Sequence, residues 1–208
     1  MTDLDPAPAT PVEGGRVLLL RHGETEWSAT GKHTGRTDIP LTDRGRERAR
    51  ETGKLGALLL GGRAPALVLS SPRARAQITA ELGGLHVDRT DDRLVEWDYG
   101  DYEGLTTPQI RAQDPGWTVW THVCPGGETA AQVQARADAV LADAAKALPE
   151  GDVVLVGHGH FSRVLMARWI GLPAAEGVRF AMDAAGWSVL GHERGVPRLD
   201  HVNLSGLT

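Results

Sequence analysis

Two histidines with the same local setting are the strongest candidates for chemistry in this chain. His22 follows the apolar run 17–20 and stands directly after Arg21, whereas His158 follows the apolar run 153–156 and has glycine on both sides. In an open sheet of parallel strands, the carboxyl ends of the strands meet at one edge, where ligands bind. We therefore expect the two imidazoles to face one pocket, in which Arg21 places a cation beside a potential nucleophile.

Two arginines follow a third apolar run, 66–70. Arg73 and Arg75 would stand in the first turn of a helix, where the helix dipole disfavours cations. Their position suggests that they serve something other than helix stability. An exposed basic turn remains the alternative for either arginine.

A run of alternating carboxylates and aromatic rings supplies candidate acids. It spans residues 94–104 and contains Glu96, Asp98, Asp101 and Glu103. Aromatic surroundings can disfavour the charged form of a carboxyl group, so that it serves as a proton donor. Residue chemistry alone does not select Glu96 from these four.

A metal site is an alternative interpretation of the residues around His158. His158 and His160 are separated by a single residue, but the chain contains neither a Cys-x-x-Cys nor a His-Glu-x-x-His pattern. Such patterns are typical of zinc sites. We therefore predict a site without a metal and without another cofactor.

The elements that must position these residues form an α/β pattern. Helical periodicity separates the apolar runs, and this alternation predicts a single three-layer α/β/α domain with a mostly parallel central sheet. Residues 178–202 lack a helical period and predict a hairpin around Ala184–Gly186. Residues 1–15 are rich in Pro and Gly and predict a flexible tail before a domain at 16–208. The predicted strands are 16–21, 66–70 and 152–156, and the predicted helices are 43–60, 129–148 and 161–170.

Composition and charge narrow the classes of function. The chain has 208 residues and a formal net charge of −5, and it lacks the basic runs of a general nucleic-acid binder. Its apolar runs are too short to span a bilayer, its first residues do not resemble a secretory signal, and its one cysteine, Cys124, excludes an intramolecular disulfide. We therefore expect a cytoplasmic protein without nucleic-acid or membrane partners. An exposed strand near 186–191 could pair with a second copy in a homodimer, or be covered.

Together these motifs resemble the histidine phosphatase superfamily, also called phosphoglycerate mutase-like. The resemblance runs from about Val17 to Leu172, and the motifs stand in the family's order. In this chain they are Arg21-His22-Gly23, His33-Thr34-Gly35 with Pro40-Leu41-Thr42 and Gly45, Arg75-Ala76 with Thr79-Ala80, Glu96 before Gly-x-x-Glu-Gly at 100–104, and Gly157-His158-Gly159.

The resemblance implies a division of labour among five residues. His22 would be the nucleophile that forms a phosphohistidine, and Glu96 would be the general acid. Arg21, Arg75 and a protonated His158 would hold the transferring phosphoryl group and supply the positive charge that a metal ion provides in other enzymes.

The chain looks most similar to actinobacterial acid phosphatases and fungal sedoheptulose-1,7-bisphosphatase-type members. This similarity implies a phosphomonoesterase for small phosphorylated metabolites, such as fructose-1,6-bisphosphate or sedoheptulose-1,7-bisphosphate. Arg163 would meet the distal phosphate of such a substrate. The other implied substrate contacts are Ser28, Thr34, Gly35, Tyr99, Gly159 and His160.

Two alternatives to hydrolysis remain. Family members that isomerise phosphoglycerate carry adjacent arginines in an insertion, whereas the corresponding span here, 106–128, contains only Arg111. Hydrolysis is therefore favoured over mutase activity. A catalytically silent module that binds phosphorylated ligands is the second alternative, and turnover of p-nitrophenyl phosphate would exclude it.

Overall fold

In a computed structural model of the protein, which describes residues 14–205, six strands form one sheet. They are β1 (Val17–Arg21), β2 (Leu67–Ser70), β3 (Arg89–Thr90), β4 (Val153–Gly157), β5 (Trp187–Glu193) and β6 (Val196–Leu204). Their order across the sheet is β3-β2-β4-β1-β5-β6. The first four of these strands pair in parallel, and β5 and β6 add antiparallel strands at one side. The predicted mostly parallel sheet is confirmed.

Helices cover both faces of the sheet. The described helices are α1 (Glu26–Ala29), α2 (Asp43–Leu59), α3 (Ala74–Leu82), α4 (Thr107–Arg111), α5 (Ala130–Ala147) and α6 (Gly159–Trp169). Leu18 and Val154 pack with residues of α2 and α3 on one face, and Leu19 and Leu155 pack with residues of α5 and α6 on the other. Successive residues of a strand point to opposite faces, so these apolar strands need a helical layer on each side. The predicted three-layer domain is confirmed.

Side-chain caps set the starts of the two long helices. Thr42 accepts a hydrogen bond from the backbone N–H of Gly45 (2.9 Å) at the start of α2. Thr129 and Gln132 form a capping box at the start of α5. Such caps satisfy backbone donors that have no partner inside the helix. The predicted helices 43–60 and 129–148 agree with these bounds, and the third begins two residues earlier than predicted, at Gly159.

The predicted hairpin exists, but its predicted turn position is wrong. β5 and β6 are joined at Arg194 and Gly195, whose φ angles of +49° and +80° match the primed turns that suit the twist of a two-residue hairpin. The segment Ala184–Gly186 instead leads into β5 and bonds to the end of β1, since Arg21 N–H donates to Gly186 O (3.1 Å). Residues 187–191 are buried and lie between β1 and β6, so this stretch is covered. The homodimer stays a prediction.

The sheet brings the chemical motifs to one edge. β1 and β4 are neighbours in parallel register, with Arg21 opposite Gly157. His22 and His158 come directly after these two residues. β2 pairs with β4 on the other side, with Ser70 opposite Val156, so the start of α3 reaches the same edge.

The ends of the chain lie outside the described residues. The predicted flexible tail falls mostly within residues 1–13, and packing is visible from Gly15, which is buried against the backbone of Gly151. Between residues 14 and 205, no helix is both long enough and apolar enough to cross a membrane.

Candidate active site

The hydrogen bond of His22 determines which of its nitrogens can react. Its Nδ1 lies 2.7 Å from the carbonyl oxygen of Gly23, and a carbonyl only accepts, so Nδ1 carries a hydrogen. Burial, followed by the charges of Arg21 and Arg75, lowers the pKa of His22 well below 6.5. The imidazole is therefore neutral, and its Nε2 holds a lone pair.

His158 lies beside His22 and is bound by two neighbouring side chains. The two ring centroids are 5.2 Å apart. Arg75 Nη2 donates to His158 Nδ1 (3.3 Å), and His158 Nε2 lies 2.8 Å from Ser71 Oγ. Burial, together with the neighbouring His22 and arginines, lowers the pKa of His158 well below 6.5. In this structure the imidazole is therefore neutral and accepts a hydrogen bond from Arg75. The protonated His158 that the resemblance implies for phosphoryl transfer stays a prediction.

Arg75 is fully buried and is held by the loop that comes after α1. Its Nη1 donates to the carbonyl oxygen of Thr37 (2.7 Å), and its Nη2 donates to those of Thr34 (3.3 Å) and Gly35 (3.4 Å). The predicted alternative of an exposed basic turn is thereby excluded for Arg75, whose exposure is 0%. Arg73 precedes α3 and is half-buried.

Arg21 carries the second guanidinium group near His22 and is half-buried. Its Nη1 donates to the carbonyl oxygen of Met182 (2.6 Å). Burial lowers the pKa of Arg21, yet an arginine stays protonated in proteins. Within residues 14–205, the buried Nε atoms of Arg21 and Arg75 have no hydrogen-bond partner. Buried donors without partners are rare, and these two fit an anion.

The start of α6 binds the carboxyl group of Glu96. Oε1 accepts the backbone N–H groups of Trp97 (2.9 Å) and Phe161 (2.8 Å), and Oε2 accepts that of His160 (2.9 Å). A helix start favours an anionic group, and here the side chain of Glu96 takes that place.

A pocket of about 170 Å³ opens at this edge of the sheet. Of the four candidate acids, Glu96 is the one that lines it within the described residues. Arg75 and His158 are not among the residues that line it. The other lining residues are Arg21, His22, Ser28, Gly31, Lys32, His33, Thr34, Tyr99, Gly159, His160, Arg163 and Met182.

Ser28 and Gly35, two of the predicted substrate contacts, form hydrogen bonds to other residues of the protein. Ser28 lines the pocket, but its hydroxyl donates to Thr25 O (3.0 Å) and accepts from Thr25 N–H (2.9 Å) as part of the α1 cap. Gly35 gives its N–H to Glu103 Oε1 (3.1 Å) and does not line the pocket. The structure therefore corrects the role of Gly35 from substrate contact to support of Arg75. Thr34 lines the pocket.

Tyr99 and His160 form a pair in the pocket wall. The hydroxyl of Tyr99 lies 2.6 Å from His160 Nδ1. Burial raises the pKa of Tyr99 well above 10 and lowers that of His160 well below 6.5, so both side chains are neutral. Gly159 lies against Arg21: a Cβ at this position would come within 3.2 Å of the guanidinium carbon.

Arg163 is fixed at the side of the pocket. Its Nε donates to Gly177 O and its Nη2 to Val178 O (both 3.0 Å). The guanidinium carbon lies 4.5 Å from the ring centroid of Trp120, a cation–π distance. Arg163 lines the pocket, and its contact with a distal phosphate stays a prediction.

Several residues of the site were not selected from the sequence. Lys32, His33 and Met182 line the pocket, and burial lowers the pKa of His33 to about 4. His33 stood next to the predicted Thr34 and Gly35, so its motif offered a signal. No sequence motif pointed to Lys32 or Met182, which tertiary packing brings to this edge of the sheet.

The donor set around His158 does not favour a metal. Both ring nitrogens of His158 are engaged, one by Arg75 and the other by Ser71. Among residues 14–205, no group of three or more His, Cys, Asp and Glu side chains is placed to hold a metal ion. The metal-independent site stays a prediction.

Comparisons with known proteins agree with this geometry. An acid phosphatase of Mycobacterium tuberculosis is 52% identical over 196 residues, which is 94% of this chain and 95% of that protein. A sedoheptulose 1,7-bisphosphatase of Saccharomyces cerevisiae is 35% identical over 185 residues, 76% of this chain and 68% of the yeast protein. A glucosyl-3-phosphoglycerate phosphatase of M. tuberculosis is 36% identical and covers 85% of this chain and 86% of its own.

Solved structures give the same result. The product of an M. tuberculosis open reading frame superposes with a TM-score of 0.89 at 50% identity and covers 93% of this chain and 99% of its own. A mycobacterial glucosyl-3-phosphoglycerate phosphatase, solved in complex with VO3, gives a TM-score of 0.78 at 35% identity, with coverage of 92% and 100%. The family model of the histidine phosphatase superfamily (branch 1) matches residues 17–205. The chain therefore belongs to branch 1 of the histidine phosphatase superfamily and is a phosphoric monoester hydrolase.

Proposed function

We propose that the enzyme hydrolyses small phosphorylated metabolites, namely sugar phosphates or sugar bisphosphates, through a phosphohistidine formed on His22. The main observation behind this proposal is the protonation and hydrogen bonding of the His22 imidazole. The imidazole is neutral and its Nδ1 is committed to Gly23, so Nε2 keeps a lone pair near the guanidinium groups of Arg21 and Arg75. A neutral nucleophile among cations is suited to attack a phosphorus atom whose oxygens are negatively charged.

In the first step, the Nε2 lone pair of His22 forms a bond to phosphorus while the ester P–O bond breaks. Phosphoryl transfer depends on positioning and on stabilising charge at the equatorial oxygens. Arg21 on the pocket wall and the buried Arg75 supply that charge, and the Nε–H of Arg21 has no partner among the described residues. While His158 is neutral, it accepts a hydrogen bond from Arg75. A phosphoryl dianion nearby would favour its protonated form, in which both ring nitrogens donate and this bond is given up.

Glu96 moves the proton in both steps. The protonated carboxyl gives its hydrogen to the leaving alkoxide, and the carboxylate then takes a proton from the water that attacks phosphohistidine. The N–P bond breaks, inorganic phosphate leaves, and Glu96 is protonated again. Oε2 accepts one backbone N–H, from His160, so a second lone pair on this oxygen can carry the proton.

The mutase alternative finds no support in the segment 106–128. Its one arginine, Arg111, is exposed and donates through Nε to Trp117 O (2.8 Å). Arg111 is not among the residues that line the pocket. Hydrolysis therefore remains the favoured reaction.

The pocket and the relatives support sugar bisphosphates as substrates. Lys32 and Arg163 line the same pocket as His22, so a second anionic group on a substrate would meet a cation. Two relatives are named as phosphatases of sugar-derived substrates. We propose fructose-1,6-bisphosphate or sedoheptulose-1,7-bisphosphate. Broad acid phosphatase activity is the second candidate, because the relative at 52% identity is named an acid phosphatase.

A substitution at Arg163 tests the proposed substrate class. We expect Arg163→Met to raise KM for fructose-1,6-bisphosphate by on the order of ten-fold, the effect of losing a hydrogen bond to a charged group. KM for fructose 1-phosphate, fructose 6-phosphate and p-nitrophenyl phosphate should change far less. Initial-rate kinetics on the four substrates measure the difference. Equal losses on all four would mean that Arg163 only supports the pocket wall through Trp120. Failure of the wild type to hydrolyse any of the four would contradict the proposed function itself.

Removal of metals tests the proposed source of positive charge. Because Arg21 and Arg75 stabilise the phosphoryl oxygens, we expect exhaustive EDTA treatment to leave p-nitrophenyl phosphate turnover unchanged. The measurement compares treated enzyme before and after dialysis against Mg²⁺ or Zn²⁺. A loss of activity that one of these ions restores would revive the metal interpretation of His158 and His160.

A further inference from the structure

Arg136, on α5, uses every N–H of its guanidinium group to hold the backbone around Glu96. Its Nη1 donates to the carbonyl oxygens of Arg93 and Val95 (both 2.7 Å), and its Nη2 donates to that of Glu96 (3.4 Å). Nε and Nη2 also donate to the two carboxylate oxygens of Glu128 (3.0 and 2.8 Å). The five donors of an arginine thus meet five acceptors, and the side chain is only 13% exposed.

The same guanidinium group contacts the helix that binds the carboxyl group of Glu96. The guanidinium carbon of Arg136 lies 4.3 Å from the ring centroid of Phe161, a cation–π distance. The backbone N–H of Phe161 donates to Glu96 Oε1 (2.8 Å). Arg136 therefore touches both the main chain of Glu96 and the residue that holds its carboxylate.

Glu128 extends this support beyond Glu96. Its Oε2 accepts the backbone N–H of Asp98 (3.0 Å), and its carbonyl oxygen accepts the indole N–H of Trp97 (2.9 Å). Residues 95–99 belong to no helix or strand, so no backbone ladder holds them in place. Buried backbone groups in such a segment need other partners, and Arg136 and Glu128 provide them.

We propose that Arg136, paired with Glu128, is a positioning residue for the general acid. Neither residue lines the pocket, so neither touches substrate; the pair sets where the Glu96 carboxyl stands relative to the leaving oxygen. This inference rests on the proposed role of Glu96. A shift of ~1 Å in a catalytic group can cost on the order of 10²-fold in rate, so loosening the pair should weaken proton donation specifically.

The substitution Arg136→Lys separates positioning from simple structural support. Lysine keeps the charge, but its three N–H groups cannot reach five acceptors. We expect kcat for fructose-1,6-bisphosphate to fall by roughly ten-fold or more, with a much smaller change for p-nitrophenyl phosphate, whose phenolate leaves without a proton. Glu128→Gln should change kcat for the two substrates in the same pattern, but by smaller factors. If circular dichroism shows that Arg136→Lys does not fold, the kinetics of Glu128→Gln on the two substrates provide the test instead.

A matched control and a reference variant make the result decisive. Arg168 is a buried arginine of α6 that pairs with Asp138 (2.7 Å) and with Leu172 O (3.1 Å), so Arg168→Lys should affect both substrates equally. Glu96→Gln, measured in the same assay, shows how the loss of proton donation changes kcat for the two substrates. If Glu96→Gln discriminates between the substrates while the variants of Arg136 and Glu128 do not, the inference is overturned. If Glu96→Gln fails to discriminate, the proposed role of Glu96 falls, and the inference with it.

Discussion

Replacing His22 with alanine should abolish turnover of aryl and sugar phosphates alike. We expect kcat to fall by on the order of 10⁴-fold or more, as when other covalent nucleophiles are removed. The reason is geometric: Nε2 of His22 is the unprotonated nitrogen of the pocket wall next to Arg21 and Arg75. Acid-quenched wild-type enzyme given labelled substrate should carry an acid-labile, base-stable phosphate, and the alanine variant should carry none.

The control for this experiment is a histidine away from the pocket. His201 is exposed on β6, so His201→Ala should keep wild-type turnover and the labelled phosphate. Circular dichroism and thermal melting of His22→Ala would show that the loss is not one of folding. Near-wild-type turnover in a folded His22→Ala variant would refute the phosphohistidine mechanism.

The sequence could place the nucleophile because the fold around it is locally specified. Unbroken apolar runs predicted β1 and β4, and parallel strands bring the residues after their carboxyl ends to a common edge. Arg21 and His22 therefore line one pocket, and His158 lies beside His22 without lining the pocket itself. The turn of the hairpin was harder to place. The sequence favoured Ala184–Gly186, whereas the chain turns at Arg194 and Gly195, whose φ angles are both positive. Pairing with β1, a contact distant in sequence, decided between them.

The ionisation of the site could not be predicted, because it depends on tertiary partners. His158 is neutral since burial, Arg75 and Ser71 surround it, and these two partners come from α3 and from the end of β2. The N–H groups at the start of α6 would suit an anionic ligand, but Glu96, from a segment distant in sequence, accepts two of them. The sequence shows which groups can donate, but only the structure shows which donors are already used.

Replacing Glu96 with glutamine should damage hydrolysis of a sugar phosphate far more than that of p-nitrophenyl phosphate. The alkoxide of a sugar leaves poorly without a proton, whereas the nitrophenolate needs none. We expect the two losses in kcat to differ on the order of 10²-fold, the low end of what general acid catalysis contributes. Steady-state kinetics on both substrates measure this gap. Asp101 is an exposed carboxylate of the same segment, so Asp101→Asn is the matched control and should show no gap.

The pH dependence of the wild type offers an independent check on Glu96. The lowered pKa of His22 keeps its imidazole neutral as the pH falls below 6.5, and the nucleophile is lost only when the pH passes through that lowered value. A rate that depends on proton donation to the leaving group falls as the pH rises, so alkyl substrates should lose rate while aryl substrates lose little. The optimum for sugar phosphates should therefore lie on the acid side of neutrality, and Glu96→Gln should remove this difference between the profiles. Equal losses on both substrates, with parallel pH profiles, would mean that the Glu96 carboxylate only anchors the start of α6 through its bonds to His160 and Phe161.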